Sequence, residues 1–390
     1  MKRALKLIEC PRDAMQGLKT FISTEKKIKY LNALLQVGFD TIDFGSFVSA
    51  PAVPQMKDSE EVLLNCDLTK RGNTKLLAVV ANTRGTETAL KHCEKLNYIG
   101  FPLSLSETFQ LKNTRKSITA AFDEVKQIQD LCRGTAGRTE FVVFISMAFG
   151  NPYGEACTVD NVLDFTARLK GMGVRTVSFA DTVGYATIPQ IEEMFSRAVK
   201  DFPDLEIGAH FHSDPATGPD KVEAAYKAGC RRFDSTIGGL GGCPFAKSTL
   251  VGNVSTETVI SVLERNGVQL PASFNKEKFL QAESIKHEVL GLGIKEILVA
   301  QVLSDEYQFV ELCMGKFKEA DVRRVGSLNE AEFISALSSA YEELGETLPT
   351  VEKMKKSYQR IDLTGDGKIT FDEYMAGIRR GLKKRIQEMA

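Results

Sequence analysis

Two of the four histidines in this chain stand two residues apart, in Ala209-His210-Phe211-His212-Ser213. On an extended strand, residues i and i+2 share one face. Both imidazoles can then point at one ion while Phe211 turns into packing. Joined by an Asp and an Asn oxygen, they would form a mixed nitrogen and oxygen site with positions open for substrate. Such a site suits Mg²⁺, Mn²⁺ or another borderline divalent cation. The pair alone equally suits two histidines hydrogen-bonded inside a core. A second feature is the run Gly238-Gly-Leu-Gly-Gly-Cys243-Pro-Phe-Ala246. Its glycines permit backbone angles that other residues resist. It reads either as a tight turn with an incidental cysteine or as a mobile loop that brings the Cys243 thiol to a substrate.

These residues need a scaffold, and the pattern around them supplies one. From about residue 4 to 265 the chain alternates short apolar runs with amphipathic stretches. Strands are expected at Leu5–Glu9, Thr41–Phe44, Lys75–Ala81, Tyr98–Leu103, Glu140–Ser146, Arg175–Ala180, Ile207–His212 and Arg232–Ile237. Helical patterns lie between them, among them KIKYLNALLQVG, TVDNVLDFTARLKGMG, TIPQIEEMFSRAVKDFP and GPDKVEAAYKAGC, several opening on Thr or Asp and closing on Gly. Strands alternating with helices argue for parallel βα units, and eight strands close a barrel. The alternative, a doubly wound open sheet, lacks the G-x-G-x-x-G it needs after the first strand. The expected fold is therefore a (β/α)₈ TIM barrel. Barrel chemistry gathers at the C-terminal ends of the strands. The polar residues there are Arg12 and Asp13, Asp43, Asp181, His210 and His212, with Cys243 and Asn253 beyond the eighth strand.

Size and charge narrow the function classes. At 390 residues the chain suits one large domain plus a small one. A net charge of -1 gives no global attraction to nucleic acid or an anionic membrane. No apolar run is long enough to span a bilayer. The apolar stretch in MKRALKLIECPRDAMQG is too short for a signal peptide. The eight cysteines are scattered and form no C-x-x-C, which points to reduced thiols in a cytoplasmic compartment.

Taken in order, ECPRDAMQ, SFVSAPAVPQMKD, SMAFGNPYG, SFADTVGYATIP, AHFH and GGLGGCPFAKSTLVGNVSTE resemble the hydroxymethylglutaryl-CoA lyase family, over roughly residues 4–270. That family belongs to the metallolyase barrels. The resemblance implies that Asp13, His210, His212 and Asn253 bind Mg²⁺ or Mn²⁺. It implies that Arg12 meets the developing enolate, that Asp181 and Asp43 sit beside the substrate hydroxyl and metal, and that Cys243 is a catalytic thiol. The implied reaction is retro-Claisen cleavage of 3-hydroxy-3-methylglutaryl-CoA to acetoacetate and acetyl-CoA, a step of leucine degradation. His210 and Asp181 are the two candidates for the base that takes the hydroxyl proton. The chain departs from the pattern at several points. Asp43 stands for Glu, Phe211 for Cys, Asn151-Pro-Tyr-Gly-Glu155 for Cys-Pro-Tyr-Glu-Gly, and Ser213-Asp214-Pro215 for His-Asp-Thr. These departures bear on substrate identity more than on metal binding, so a longer or differently branched 3-hydroxyacyl-CoA is an alternative substrate.

Past residue 290 charged helical patterns replace the strands. Asp362-Leu-Thr-Gly-Asp-Gly-Lys-Ile-Thr-Phe-Asp-Glu373 matches the calcium loop of an EF-hand. Asp362, Thr364 and Asp366 take loop positions 1, 3 and 5, and Gly367 is the turn glycine. Lys368 offers its carbonyl, Thr370 acts directly or through water, and Glu373 is the bidentate ligand. Ile369 is the apolar residue expected to pair with a second loop. Upstream, Asp321–Glu332 keeps the first Asp, the glycine, Leu328 and the terminal Glu, but has Arg323 and Val325 where oxygen ligands belong. It reads as a degenerate hand that pairs without binding Ca²⁺.

The expected organisation is a barrel over 1–290 and a small all-α EF-hand pair over 305–390. The expected partners are an acyl-CoA substrate and a second copy in a homodimer, with no nucleic acid and no membrane. Two other readings stay open. One is a Claisen-type synthase on the same metal site, and the other is a non-catalytic calcium-responsive protein on a barrel scaffold.

Overall fold

Segments such as Glu140-Phe-Val-Val-Phe-Ile-Ser146 are apolar at nearly every position, as strands covered on both faces must be. The computed structural model describes residues 4–18, 20–241, 252–290, 306–343 and 349–389. Its eight parallel strands are β1 (Lys6–Glu9), β2 (Thr41–Ser46), β3 (Lys75–Val79), β4 (Tyr98–Ser104), β5 (Glu140–Ser146), β6 (Thr176–Asp181), β7 (Glu206–Phe211) and β8 (Arg232–Ser235). They neighbour one another in chain order, and β8 returns to β1 in the register Lys6↔Arg232 to Glu9↔Ser235. The sheet is closed, so the open-sheet alternative falls. Each expected strand lies within two residues of the observed one at both ends. The eighth is shorter than expected because Ile237–Gly239 turns into a 3₁₀ helix.

Helices follow the strands and pack outside them. The Pro11–Gln16 helix, α1, was not expected; it has six residues, too few to show a period, and opens on Pro11. The Thr24–Leu34 helix starts ahead of the apolar pattern because Ser23 caps it, its hydroxyl accepting from Lys26 N–H. Val159–Gly171 and Ile188–Asp201 open on full capping boxes, Thr158 with Asn161 and Thr187 with Gln190. The main core lies between strands and helices and includes Leu34, Ile99, Phe101, Val125, Phe179, Phe195 and Leu263. Each such buried side chain contributes about 1.5–3 kcal/mol. One irregularity reaches the upper rim. The register of β2 on β3 skips a residue between Asp43 and Gly45, a bulge of the kind that re-aims a side chain near a site.

Contacts divide the chain into a unit Met1–Gly293 and a unit Ile294–Ala390. The second unit holds helices Glu306–Ala320, Glu330–Glu343, Val351–Ile361 and Phe371–Met389. Two short strands, Ser327–Leu328 and Ile369–Thr370, pair antiparallel with Ile369 opposite Leu328, the pairing that the apolar loop position predicts. Beneath them Phe317, Phe333, Tyr358 and Tyr374 form a separate core. Among the described residues no helix is long and apolar enough to cross a membrane.

Candidate functional site

Strand alternation puts His210, the penultimate residue of β7, and His212, just past its end, on one side. Phe211 turns the other way, against Phe149 and Phe195. Asp13 on α1 faces both imidazoles, its Oδ2 3.7 Å from His210 Nε2 and 3.6 Å from His212 Nε2. These separations are too long for hydrogen bonds. They suit two ligand atoms that share one ion at about 2.0–2.2 Å each. All three residues are buried, and their ligand atoms lie within 4.8 Å of one another.

Asn253 arrives by a route that local sequence does not reveal. Residues 252–254 lie antiparallel against the end of β7. Ser213 N–H donates to Gly252 O, Val254 N–H donates to Phe211 O, and His212 bridges Asn253. The Asn253 amide donates to Asp13 Oδ2 at 2.7 Å and to Leu240 O at 2.9 Å, while its Oδ1 is buried with no hydrogen-bond partner. An orphaned amide oxygen beside a carboxylate and two imidazoles fits a divalent cation as fourth donor. Gly241 lets this happen. Its φ is +93°, and a Cβ there would lie 2.5 Å from Asp13 O and 2.9 Å from the Asn253 amide nitrogen.

The charges at the centre oppose one another. Burial alone would raise the Asp13 carboxyl, but Arg12 and the two imidazoles hold it well below its ordinary value. Burial likewise disfavours charge on His210, yet Asp13 and Asp234 carry it up to about 9. Arg12 joins two carboxylates. Its Nε and Nη2 donate to Asp43 at 3.0–3.1 Å and 2.6 Å, and its Nη1 donates to Asp13 at 3.0 Å and to Gln16 at 2.8 Å. Burial pushes the Asp43 carboxyl up despite that guanidinium.

Asp181 is held differently. Lys221 Nζ donates to its Oδ2 at 2.7 Å and also reaches Gly184 O and His212 O. The Ala186 N–H binds both Asp181 oxygens. The structure thus gathers Arg12, Asp13, Asp43, His210, His212 and Asn253 and ties Asp181 into an anchored turn. Cys243 lies outside the described residues.

In the C-terminal unit the second loop has closed on itself. Asp362 accepts from Gly365 and Gly367 N–H, and Asp366 accepts from Lys368 N–H. Glu373 reaches back to Leu363, Thr364 and Thr370 N–H and to the Thr370 hydroxyl. Those backbone bonds, Thr370 first, hold its carboxyl down at about 2, so it stays ionised. In the first loop Arg323 puts Nε and Nη2 on the two oxygens of Glu332, each at 2.9 Å. A guanidinium thus occupies the carboxylate that a calcium ion would need.

Sequence reasoning overlooked Gln16, Lys221 and Asp234. Gln16 shares a face of α1 with Arg12 and Asp13 and cross-links them. Lys221 is a charge on the buried face of the Gly218–Lys227 helix, and Asp234 is one on an inward strand position. A buried charge on an otherwise apolar face was the available signal.

A family model described as HMGL-like matches residues 5–285, and one described as an EF-hand domain pair matches 311–379. The hydroxymethylglutaryl-CoA lyase of Bacillus subtilis is 31% identical over 281 residues, covering 72% of this chain and 91% of that protein. A 3-hydroxy-3-isohexenylglutaryl-CoA/hydroxy-methylglutaryl-CoA lyase of Pseudomonas aeruginosa is 30% identical, covering 75% and 94%. An HMG-CoA lyase of Acinetobacter baumannii, solved with coenzyme A and 3-methylmalate, superposes with a TM-score of 0.67 at 30% identity, covering 74% of this chain and 92% of that one. The closed barrel, its buried Asp-His-His cluster and these matches agree: the chain belongs to the HMGL-like family, a carbon–carbon lyase of the hydroxymethylglutaryl-CoA lyase-like kind with a C-terminal EF-hand pair.

Proposed function

We propose that this chain is a divalent-metal-dependent lyase that cleaves 3-hydroxy-3-methylglutaryl-CoA, or a closely related 3-hydroxyacyl-CoA, to a 3-oxo acid and acetyl-CoA. The observation that carries the reading is the buried cluster of Asp13, His210 and His212 at the C-terminal rim of the barrel. Asp13 Oδ2, His210 Nε2, His212 Nε2 and Asn253 Oδ1 would hold Mg²⁺ or Mn²⁺. When bound, such an ion acts as a Lewis acid on the substrate's oxygen atoms. Cleavage removes the proton of the tertiary hydroxyl and breaks the bond between C2 and C3. Its electron pair stays on C2 as the acetyl-CoA enolate, and the enolate carbon then takes a proton.

The chain's own groups divide these tasks. Arg12 stays protonated and is aimed at the centre, so its guanidinium balances the enolate charge. Of the two proton acceptors the sequence left open, Asp181 is committed to Lys221 and Ala186, and His210 turns Nε2 toward Asp13 and Nδ1 toward Asp234. Asp43, raised by burial and held among the described residues through Arg12, is the better placed acceptor for the hydroxyl proton. Cys243 delivers the proton to the enolate carbon, and the glycine run carries its thiol.

The second loop binds Ca²⁺ through Asp362, Thr364, Asp366, the Lys368 carbonyl and Glu373, and calcium modulates the lyase. The seven described cysteines form no disulfide with one another, which suits a reducing cytoplasmic compartment. A thioester panel tests the substrate. Protein with Mn²⁺ should release acetoacetate from 3-hydroxy-3-methylglutaryl-CoA. Turnover of only a longer-branched analogue would overturn that substrate, and condensation of acetyl-CoA with an α-keto acid would favour the synthase alternative.

A further inference from the structure

Barrel interiors are ordinarily filled by layers of branched apolar side chains. This one carries a file of charges beneath the metal centre. Lys6 Nζ donates to Glu206 Oε2 at 2.5 Å, and Arg232 Nη1 donates to Glu206 Oε1 at 2.8 Å. Arg232 Nε lies 3.8 Å from Asp234 Oδ1, and Asp234 Oδ2 lies 3.4 Å from His210 Nδ1. Arg232 and Asp234 are 1% and 3% exposed. The file has been given room. A Cβ on Gly208 would sit 2.9 Å from Arg232 Cδ and 3.1 Å from Ser178 Oγ. Ser178 in turn donates to Asp234 Oδ2 at 2.9 Å. Burying a carboxylate costs several kcal/mol unless it is paired, and the reaction outlined above leaves Asp234 without a task.

We propose that Asp234 is a positioning residue of the metal centre: it accepts the Nδ1 proton of His210, fixing the tautomer and ring plane that turn Nε2 toward Asp13. The inference rests on the reading of Asp13, His210 and His212 as ligands. Metal-bound imidazoles generally give their second nitrogen to such an acceptor, which fixes the ring and raises its basicity. The 3.4 Å separation exceeds a full hydrogen bond by a few tenths of an ångström, within the range over which site contacts tighten on binding. Ser178 fixes Asp234 Oδ2, and Arg232 stands beside Oδ1. Both ligand imidazoles have a buried Nδ1 that makes no full hydrogen bond, but among the described residues only that of His210 faces a carboxylate, Asp234 at 3.4 Å. The two histidines are therefore unequal, and His210 is the one with an acceptor in place.

Mn²⁺ binding to the full chain tests this, in an E373Q background that silences the C-terminal loop. With only four histidines, ¹⁵N-histidine labelling reads each imidazole separately. Asp234→Asn should weaken Mn²⁺ binding by about 10–100-fold and shift the His210 ring-nitrogen signals in the metal-free protein, leaving the other imidazoles in place. Ser178→Ala, a milder change, should weaken binding by about 2–10-fold and decides the matter if Asp234→Asn does not fold. Wild-type affinity with an unmoved His210 signal in a folded variant overturns the positioning role alone. Failure of the parent protein to bind Mn²⁺ overturns the ligand reading itself.

Discussion

Arg12→Met separates what Arg12 does for the fold from what it does for the reaction. The guanidinium grips Asp43 from the side at 2.6–3.1 Å and bridges to Asp13 at 3.0 Å. Arg12 and Asp43 are 8% and 1% exposed, so solvent screening does not discount the pair. Removing one partner of such a pair leaves an uncompensated buried carboxylate and costs about 3–5 kcal/mol, a large share of the 5–15 kcal/mol that domains possess. Asp43→Asn should cost less, about 1–3 kcal/mol, because Arg12 still reaches Asp13 and Gln16. The double substitution Arg12→Met with Asp43→Leu removes both charges of that pair and should recover part of the lost stability, since Asp13 still lacks its guanidinium. It should not recover activity, because both the guanidinium proposed to meet the enolate and the proposed proton acceptor are gone. Urea unfolding of the barrel and acetoacetate release, measured on all three variants, give the two readouts. A loss below about 1 kcal/mol in Arg12→Met, or a double variant that regains the rate, refutes the reasoning.

Other consequences are equally concrete. Burial pushes the Glu9 carboxyl up to about 8 from an ordinary 4.5. The fold therefore resists its ionisation, and stability, full below the ordinary value, falls as pH rises toward 8 by up to about 1.4 kcal/mol per unit. Glu9→Gln cannot ionise and should flatten that slope in urea midpoints taken across the range; parallel slopes would contradict the assignment. Calorimetry should find one Ca²⁺ per chain and none in Glu373→Gln, because Arg323 already fills Glu332; two equivalents would show that the first hand also binds. Asp181→Asn should leave the acidic limb of the rate profile in place, since Lys221 already holds that carboxylate. Disappearance of the limb would restore Asp181 as the base.

The barrel was legible because its strands are short, apolar and bounded by glycine and polar turns, a pattern that needs no tertiary knowledge. The C-terminal loops were legible because calcium ligation demands specific residues at specific spacings. Asp13, His210 and His212 could be nominated from their places at strand ends. Three features could not be read. Asn253 reaches the cluster through an antiparallel bridge to the end of β7, a pairing made by tertiary closure. Lys221 reaches Asp181 from a neighbouring helix. The carboxylate behind His210 depends on Gly208 leaving the lumen open for Arg232. Each is a contact between distant segments, and one-dimensional spacing carries no trace of it.

The central claim is that Asp13, His210, His212 and Asn253 hold the ion on which carbon–carbon cleavage depends. Chelator-stripped protein given 3-hydroxy-3-methylglutaryl-CoA, then resupplied with Mn²⁺, Mg²⁺ or Ca²⁺ alone, tests it through acetoacetate released. The account predicts no product in chelator, recovery with Mn²⁺ or Mg²⁺ but not with Ca²⁺ alone, and no recovery in Asp13→Asn. Equal release with and without chelator, or full recovery in Asp13→Asn, would contradict it.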